Sequence, residues 1–375
     1  MIHKYLMLFL FAGFMVNAQE TVENFRSEKL RADREITIIT PLSYEKEKNK
    51  KYPLVLVLDG DYLIDPVSGI FSYTSYWDDL PEVIIVGISQ GDTREDDTAF
   101  DKESGFPVEQ GAQFFDFIGT ELLPHLEKKY RLAPYKAIVG HDMTAGFLNA
   151  FLFKDKPLFN AYIAMSPELG ADMDVKIAER LGSVTKPVYY YLATSDSDAA
   201  RFRKTIKSLD EGIRTKNNTQ VKYKFEEFKG ASHYALAAMA IPQAIYHIFG
   251  EFQPVSNLEY QTKIVNLPSG YVKYLEDKYK NMETEMGTKV KVRLNDIQAV
   301  EAAIMKNGVF DELKDLAELA DKNYSKTILP EYYKGLFYEK TGDNKRAKKI
   351  YVNAMDLKEI GEYTREMLVQ KTEKL

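Results

Sequence analysis

The sequence predicts an α/β fold in which a doubly wound, mainly parallel sheet is followed by an all-α C-terminal region. Three observations predict it. Short runs rich in Val, Ile, Leu and Tyr recur along the first two thirds of the chain, as strands covered on both faces require. Helical or loop stretches separate these runs. After Pro254 the strand-type runs stop, and the remainder is charged and has helical periodicity.

The first residues precede this fold. Lys4 supplies a positive start, residues 5–15 are apolar, and Val16-Asn17-Ala18 closes the segment. This pattern predicts an export signal over residues 1–18, cleaved after Ala18, and hence a periplasmic or secreted bacterial protein. The apolar stretch is too short for a stable membrane span. The chain has no cysteine, which excludes a cysteine-linked lipid anchor, disulfides and thiolate metal sites. A net charge of −6 without a long basic block argues against nucleic acid as a partner.

Residues 35–41 alternate as an edge strand would, and a charged hairpin tip follows at 45–51. Buried-type strands are expected at 54–58, 83–88, 136–139, 161–165, 188–193 and 221–228. Residues 113–130 have helical spacing, with Phe114, Phe117, Ile118, Leu122 and Leu126 on one side. The α/β domain therefore spans 19–252. A helical linker region is expected at 253–330, with amphipathic helices at 270–285, 295–307 and 311–322. Residues 331–375 are expected to form a tetratricopeptide-like helix pair, because Gly335, Tyr338, Gly342, Ala347, Tyr351 and Ala354 have the small-and-aromatic spacing of that repeat. Glu331 and Lys334 depart from its usual apolar positions, and there is one copy. Such a pair serves equally as a helical cap or as a surface for a protein partner.

The chemistry centres on Gly140-His141-Asp142-Met143-Thr144, between a strand-type run and the helical residues 145–152. A G-x-S-x-G sequence in this setting lifts a serine onto a sharp turn above the sheet. Here Asp142 takes the serine position and Thr144 that of the second glycine. Downstream, Asp196 and Asp198 follow the strand at 188–193, and His233 follows the last strand. This is the order nucleophile, acid, histidine: His233 would be the base, and Asp196 or Asp198 its orienting acid. The loop at Gly60 and Asp61, with the backbone N–H of Met143, would supply the oxyanion hole.

Over about residues 35–250 the chain resembles the putative esterase family of α/β-hydrolases, which includes esterase D and siderophore esterases. The resemblance rests on Leu58-Asp59-Gly60-Asp61, Val86-Gly87-Ile88-Ser89 with Thr93-Arg94-Glu95-Asp96, and Phe114-Phe115-Asp116-Phe117-Ile118 with Glu121-Leu122-Leu123-Pro124. It continues through Gly140-His141, the segment 157–167 ending in Met165-Ser166-Pro167, and His233. It implies the α/β-hydrolase fold and a small-molecule, ester-like substrate. Some exported members carry C-terminal tetratricopeptide repeats. The family's serine is absent here.

Two readings of Asp142 follow. In the first it is itself the nucleophile: a carboxylate attacks an electrophilic carbon, and His233 activates water to release the product. Aspartate tolerates a strained elbow, and the following helix N-terminus favours its charge. With Trp77 as the single tryptophan, a halide clamp of two indoles is impossible. In the second reading the site is silent: Thr144 crowds the turn, Asp142 is a helix N-cap, and the protein is a binding or scaffold module acting through its pocket and helical tail. Ser166 is a third, weaker candidate nucleophile, since it lacks an elbow. Arg94, Asp96 and Asp97 lie in a polar loop and are read as a salt-bridge cluster. His141 is read as structural, and His125 and His247 fall in helical stretches. No metal site is expected: Asp172 and Asp174 with Asp196 and Asp198 fit no calcium-loop spacing. No cofactor is expected either, because phosphate-loop and dinucleotide fingerprints are absent.

Overall fold

Eight strands make one sheet: β1 (Gln19–Ser27), β2 (Ala32–Thr40), β3 (Tyr52–Val57), β4 (Ile84–Ile88), β5 (Leu132–His141), β6 (Ala161–Met165), β7 (Val188–Ser195) and β8 (Val221–Phe228). Their order is β1-β2-β4-β3-β5-β6-β7-β8, with β1, β2 and β4 antiparallel to their neighbours in turn and every later pairing parallel. The computed structural model describes residues 19–375, so the predicted export signal lies outside the described residues. β3, β4, β6 and β7 are buried at every position, which is why they read as unbroken apolar runs rather than alternations.

The strand predicted at 35–41 is β2, but it is not an edge. β1 pairs along its whole length, from Gln19↔Thr40 to Ser27↔Ala32. β1 escaped notice because it is largely polar and lies outermost: Val22 is 55% exposed, while Phe25 packs on the core. The helix predicted at 113–130 is helical but irregular. An α-helix at Glu109–Asp116 widens into a π-helical stretch at Phe117–Leu122 before Leu123–Lys129. The widening lies just before Pro124, which has no N–H to donate four residues back. A further helix, Gly60–Tyr76, follows β3 despite an internal Pro66. Its start requires glycine: a Cβ on Gly60 would fall 2.8 Å from the Ile88 nitrogen of β4.

The chain divides into two compact units. One is the chain through Tyr73 with Glu82–Ile248, and the other is Thr74–Pro81 with Phe249–Leu375. The second unit corrects the predicted linker. Helices from 253–330 and 331–375 share one core, in which Leu275, Ile297, Val300 and Leu316 pack in the same cluster as Tyr333 and Leu336. The amphipathic faces expected of a linker are thus one half of a common interior. The Thr74–Pro81 segment is held by Arg293, whose Nε donates to Asp78 O and Oδ2, each at 3.1 Å. Helices Ile328–Lys340 and Asn344–Ala354 pair closely, because a Cβ on Gly335 would lie 2.3 Å from the Tyr351 ring. Glu301 accepts from the hydroxyls of Tyr332, Tyr333 and Tyr363 at 3.0, 3.1 and 2.9 Å. Among the described residues, no helix is long and apolar enough to cross a membrane.

Candidate active site

β5 delivers the chain to a sharp turn at Asp142, with φ 60° and ψ −117°, and the helix Met143–Phe147 begins at the next residue. A positive φ at a non-glycine residue costs about 1–3 kcal/mol, so the surroundings must hold it. They do: Asp142 N donates to Met165 O at 2.9 Å, and Asp142 O accepts from Gly146 N and Glu168 N, each at 3.0 Å. The glycines this turn needs are Gly140 and Gly146. A Cβ on Gly140 would lie 2.7 Å from the Thr144 carbonyl carbon, and one on Gly146 would lie 1.9 Å from Glu168 O.

Position 144 tolerates a branched residue, contrary to the expectation that Thr144 crowds the turn. Its Oγ1 accepts from His141 N at 2.9 Å and donates to Asp59 Oδ2 at 2.7 Å. The N-cap reading of Asp142 is also corrected, because its carboxylate makes no capping bond to the helix. The side chain faces an imidazole and a guanidinium instead. Asp142 Oδ1 lies 3.9 Å from His233 Nε2, and Asp142 Oδ2 lies 3.4 Å from Arg94 Nη1.

Of the two candidate acids, the structure brings Asp198 to the histidine: Asp198 Oδ1 is 2.7 Å from His233 Nδ1. Asp196 is exposed and accepts from Gly230 N at 2.9 Å, bracing the loop before His233. The second oxygen of Asp198 takes bonds from Ser166 Oγ, Thr194 Oγ1 (2.8 Å) and Ser195 N (2.8 Å). Burial pushes the Asp198 carboxyl up, but the bonds from Ser166, His233, Ser195 N–H and Thr194 outweigh it and hold the carboxyl below its ordinary value. Ser166 is fully buried at φ 47° with its hydroxyl committed to Asp198, so it presents no nucleophile.

His141 lies under His233, ring centroids 4.5 Å apart, with Nε2 bonded to His233 O at 3.1 Å and Nδ1 3.2 Å from Tyr62 Oη. Burial, then the proximity of His233, lowers its pKa, so it is held neutral. It packs beneath the His233 ring and bonds its backbone.

Sequence reasoning missed Asp59 as a site residue. It is 1% exposed and has φ 54°. Its carboxylate takes Arg94 Nε at 2.6 Å and Nη2 at 3.1 Å, along with Tyr62 Oη at 2.9 Å. The available signal was a charged residue closing the apolar run 54–58. Arg34 was missed as well. It forms a buried ion pair with Asp97 at 2.9 Å and so anchors the turn Arg94–Asp97. The expected salt-bridge cluster therefore exists in part: Arg94 and Asp97 belong to it, with Arg34 and Asp59.

The three oxyanion candidates separate. Met143 opens the elbow helix, so its N–H is one of the first-turn donors without an intrahelical acceptor. Gly60 and Asp61 begin the helix after β3, and the Asp61 carboxylate turns to Gln90 N (2.8 Å) and Gly91 N (3.2 Å) at the end of β4. No cluster of His, Asp or Glu among the described residues could hold a metal ion.

Residues 27–229 match the family described as putative esterase. No curated protein matches the chain. Among solved structures, an uncharacterised protein from Capnocytophaga ochracea is 28% identical, with a TM-score of 0.85 over 95% of this chain and 99% of that one. An IroE-like serine hydrolase from Shewanella oneidensis is 18% identical, with a TM-score of 0.61 over 81% and 99% of the two chains. The BES protein from Bacillus cereus is 20% identical, with a TM-score of 0.53 over 66% and 99%. The last two likenesses show the fold alone.

Proposed function

The chain belongs to the putative esterase family of α/β-hydrolases, and from that premise we propose that it is an exported hydrolase in which Asp142 forms the covalent bond to substrate. One observation carries the proposal. The strained elbow persists around an acid whose Oδ1 lies 3.9 Å from His233 Nε2, while Asp198 holds the other ring nitrogen at 2.7 Å. Strain of this kind persists where function requires it.

The chemistry follows from the carboxylate. Attack on an acyl carbon would give a mixed anhydride, a high-energy intermediate. Attack on an alkyl carbon gives an ordinary ester, so the expected substrate is a small electrophile reacting at an alkyl carbon: a strained ester, an epoxide or an alkyl halide. Asp142 Oδ1 forms the new C–O bond, and the leaving group departs with its bonding pair. His233 Nε2 then takes a proton from water as the oxygen adds to Asp142 Cγ. The intermediate collapses, the departing alkoxide takes the proton from His233 to become the product alcohol, and the Asp142 carboxyl that remains releases the second proton of the water to solvent, which restores the carboxylate. Asp198 keeps the imidazole in the required tautomer.

The test is turnover of an epoxide, a haloalkane and a β-lactone in oxygen-18 water. Asp142→Ala and His233→Ala should abolish turnover, and the label should appear in Asp142 of the wild type. Turnover that survives Asp142→Ala overturns the proposal. A second reading, a silent site on a binding module, draws on the Arg94–Asp142 ion pair, which leaves the elbow acid already partnered. In that case the wild type turns over nothing, Asp142→Ser gains ester hydrolysis, and the helical unit is the contact surface for a protein partner.

A further inference from the structure

Among the described residues the His233 imidazole has one hydrogen bond, from Nδ1 to Asp198 Oδ1 at 2.7 Å, while Nε2 reaches Asp142 Oδ1 only across 3.9 Å. One bond fixes a point and leaves the ring to pivot about it. Tyr234 stands beside the ring, centroids 5.3 Å apart, but at 80% exposure it gives no fixed wall. His141 is the opposite case. It is 1% exposed, its ring lies 4.5 Å from that of His233, and its Nε2 is 3.1 Å from the His233 carbonyl oxygen. Resting on the reading of His233 as the base that serves Asp142, we propose that His141 is a positioning residue: its Nε2–H holds the His233 backbone and so sets the aim of the imidazole at the elbow.

His141 is itself firmly placed. It ends β5, in register with Met165 of β6. Its N–H donates to Thr144 Oγ1 at 2.9 Å, and its carbonyl accepts from Arg94 Nη2 at 3.0 Å. The His233 carbonyl can only accept, so His141 Nε2 carries the hydrogen. Burial, then the nearness of His233, keeps the ring neutral. Nδ1 is therefore bare and faces the Tyr62 hydroxyl at 3.2 Å. A neutral ring here sets no charge against the imidazolium that His233 becomes when it takes a proton from water.

The bond closes a bridge across the site. His233 opens the helix His233–Ile248, and the loop before it turns at Gly230 with φ 74°. Two bonds brace that loop from the end of β7: Gly230 N to Asp196 Oδ1 at 2.9 Å, and Ser195 Oγ to Ala231 O at 2.5 Å. Both come from the strand that leads to the acid. The bond from His141 comes from the strand that carries the elbow. His141 also precedes Asp142 directly in the chain. The residue that holds the base and the residue that bears the reacting carboxylate are thus neighbours, and a shift of the strained turn carries the base along with it. Catalysis depends on such registration, because small misplacements of reacting groups are costly.

The experiment joins NMR of the two imidazoles to steady-state kinetics with styrene oxide and with 1-bromobutane. In the wild type, nitrogen-15 shifts should show His141 neutral with its hydrogen on Nε2; a hydrogen on Nδ1 alone overturns the proposal without any variant. The His233 Nδ1 hydrogen, held in the short bond to Asp198, is followed at low field in the wild type, His141→Phe and His141→Gln. Phenylalanine keeps a buried ring and loses the donor, whereas glutamine keeps an N–H close to the position of Nε2. In His141→Phe the resonance should be lost to solvent exchange, and kcat should fall about 10- to 10²-fold with KM within about twofold. His141→Gln should restore the resonance and most of kcat. An unchanged resonance in His141→Phe, or a His141→Gln as impaired as His141→Phe, overturns the role. A wild type that turns over neither probe, with the resonance lost and restored as expected, overturns Asp142 as nucleophile and leaves the hold of His141 on the imidazole standing.

Discussion

The two ends of the His233 imidazole meet carboxylates that are held in opposite ways. At the β7 end, Asp198 is 4% exposed, and its second oxygen is filled by neutral donors: two hydroxyls and a backbone N–H. At the β5 end, Asp142 sits on a strained backbone, with one oxygen facing the Arg94 guanidinium and the other the His233 imidazole. Neutral donors at fixed distances keep an acid in place without supplying a charge that could move. The Arg94 guanidinium balances the Asp142 carboxylate with a charge of its own. The two carboxylates differ less in identity than in the chemistry of their neighbours.

The contrast can be broken, beginning with the largest expected effect. Asp198→Ala should lower turnover by about 10⁴-fold, as loss of an orienting acid does. It should also destabilise the fold, by about 1–3 kcal/mol for each buried donor left without an acceptor. Urea denaturation beside steady-state kinetics measures both; a large kinetic loss with unchanged stability would mean that Asp198 is not the structural anchor described. Asp142→Gly should behave in the opposite sense, abolishing turnover while raising stability by up to about 1–3 kcal/mol, since glycine relieves the positive φ. A destabilised Asp142→Gly would show that the ion pair with Arg94 outweighs the strain.

Thr144→Val should cost about 1–3 kcal/mol, because Asp59 and His141 N–H each lose a buried partner. If the valine variant is as stable as the wild type, Thr144 fills space and nothing more. The pH dependence is a further test. The folded pKa of His141 lies below its ordinary 6.5, so the stability it contributes is fully present above that value and is lost as pH falls through the folded value. For Asp198, whose folded pKa lies below its ordinary 3.8, the contribution is present above that value and lost only at lower pH. Melting temperatures recorded from pH 7 down to pH 3 should therefore fall in two stages, and His141→Asn should remove the upper one. The smallest effect belongs to the helical unit. Tyr333→Phe removes one of the three hydroxyls on Glu301 and should cost about 1 kcal/mol.

Much of the sheet was legible because strands buried on both faces leave a run that no other element leaves. β6 read directly from its residues, and β8, at the opposite edge of the sheet, kept Val221, Tyr223 and Phe225 in alternation, whereas β1 did not read as a strand, since Val22 and Phe25 are its only apolar residues. The elbow, the acid pair and the histidine could be placed by order along the chain. Choosing Asp198 over Asp196 could not, because two residues of offset after a strand turn the side chain to a different neighbour. Asp59 and Arg34 were hidden for another reason: a buried charge announces itself in sequence as an interruption, and its partner lies 35 positions away for the Arg94–Asp59 pair and 63 for Arg34–Asp97. The extent of the helical unit was missed because periodicity reports one wet face and one dry face without saying what covers the dry one.

The buried hydroxyl of Ser166 has a practical consequence. Fluorophosphonate reagents find hydrolases of this fold by phosphonylating an exposed, activated serine. Here the elbow has none, and the serine nearest the histidine's acid is sealed and already donating its proton. A proteome surveyed with such reagents would pass over this protein even while it was turning over substrate. An epoxide-bearing tag, captured by the carboxylate and retained where His233 is replaced by Gln, is the reagent to which it should answer.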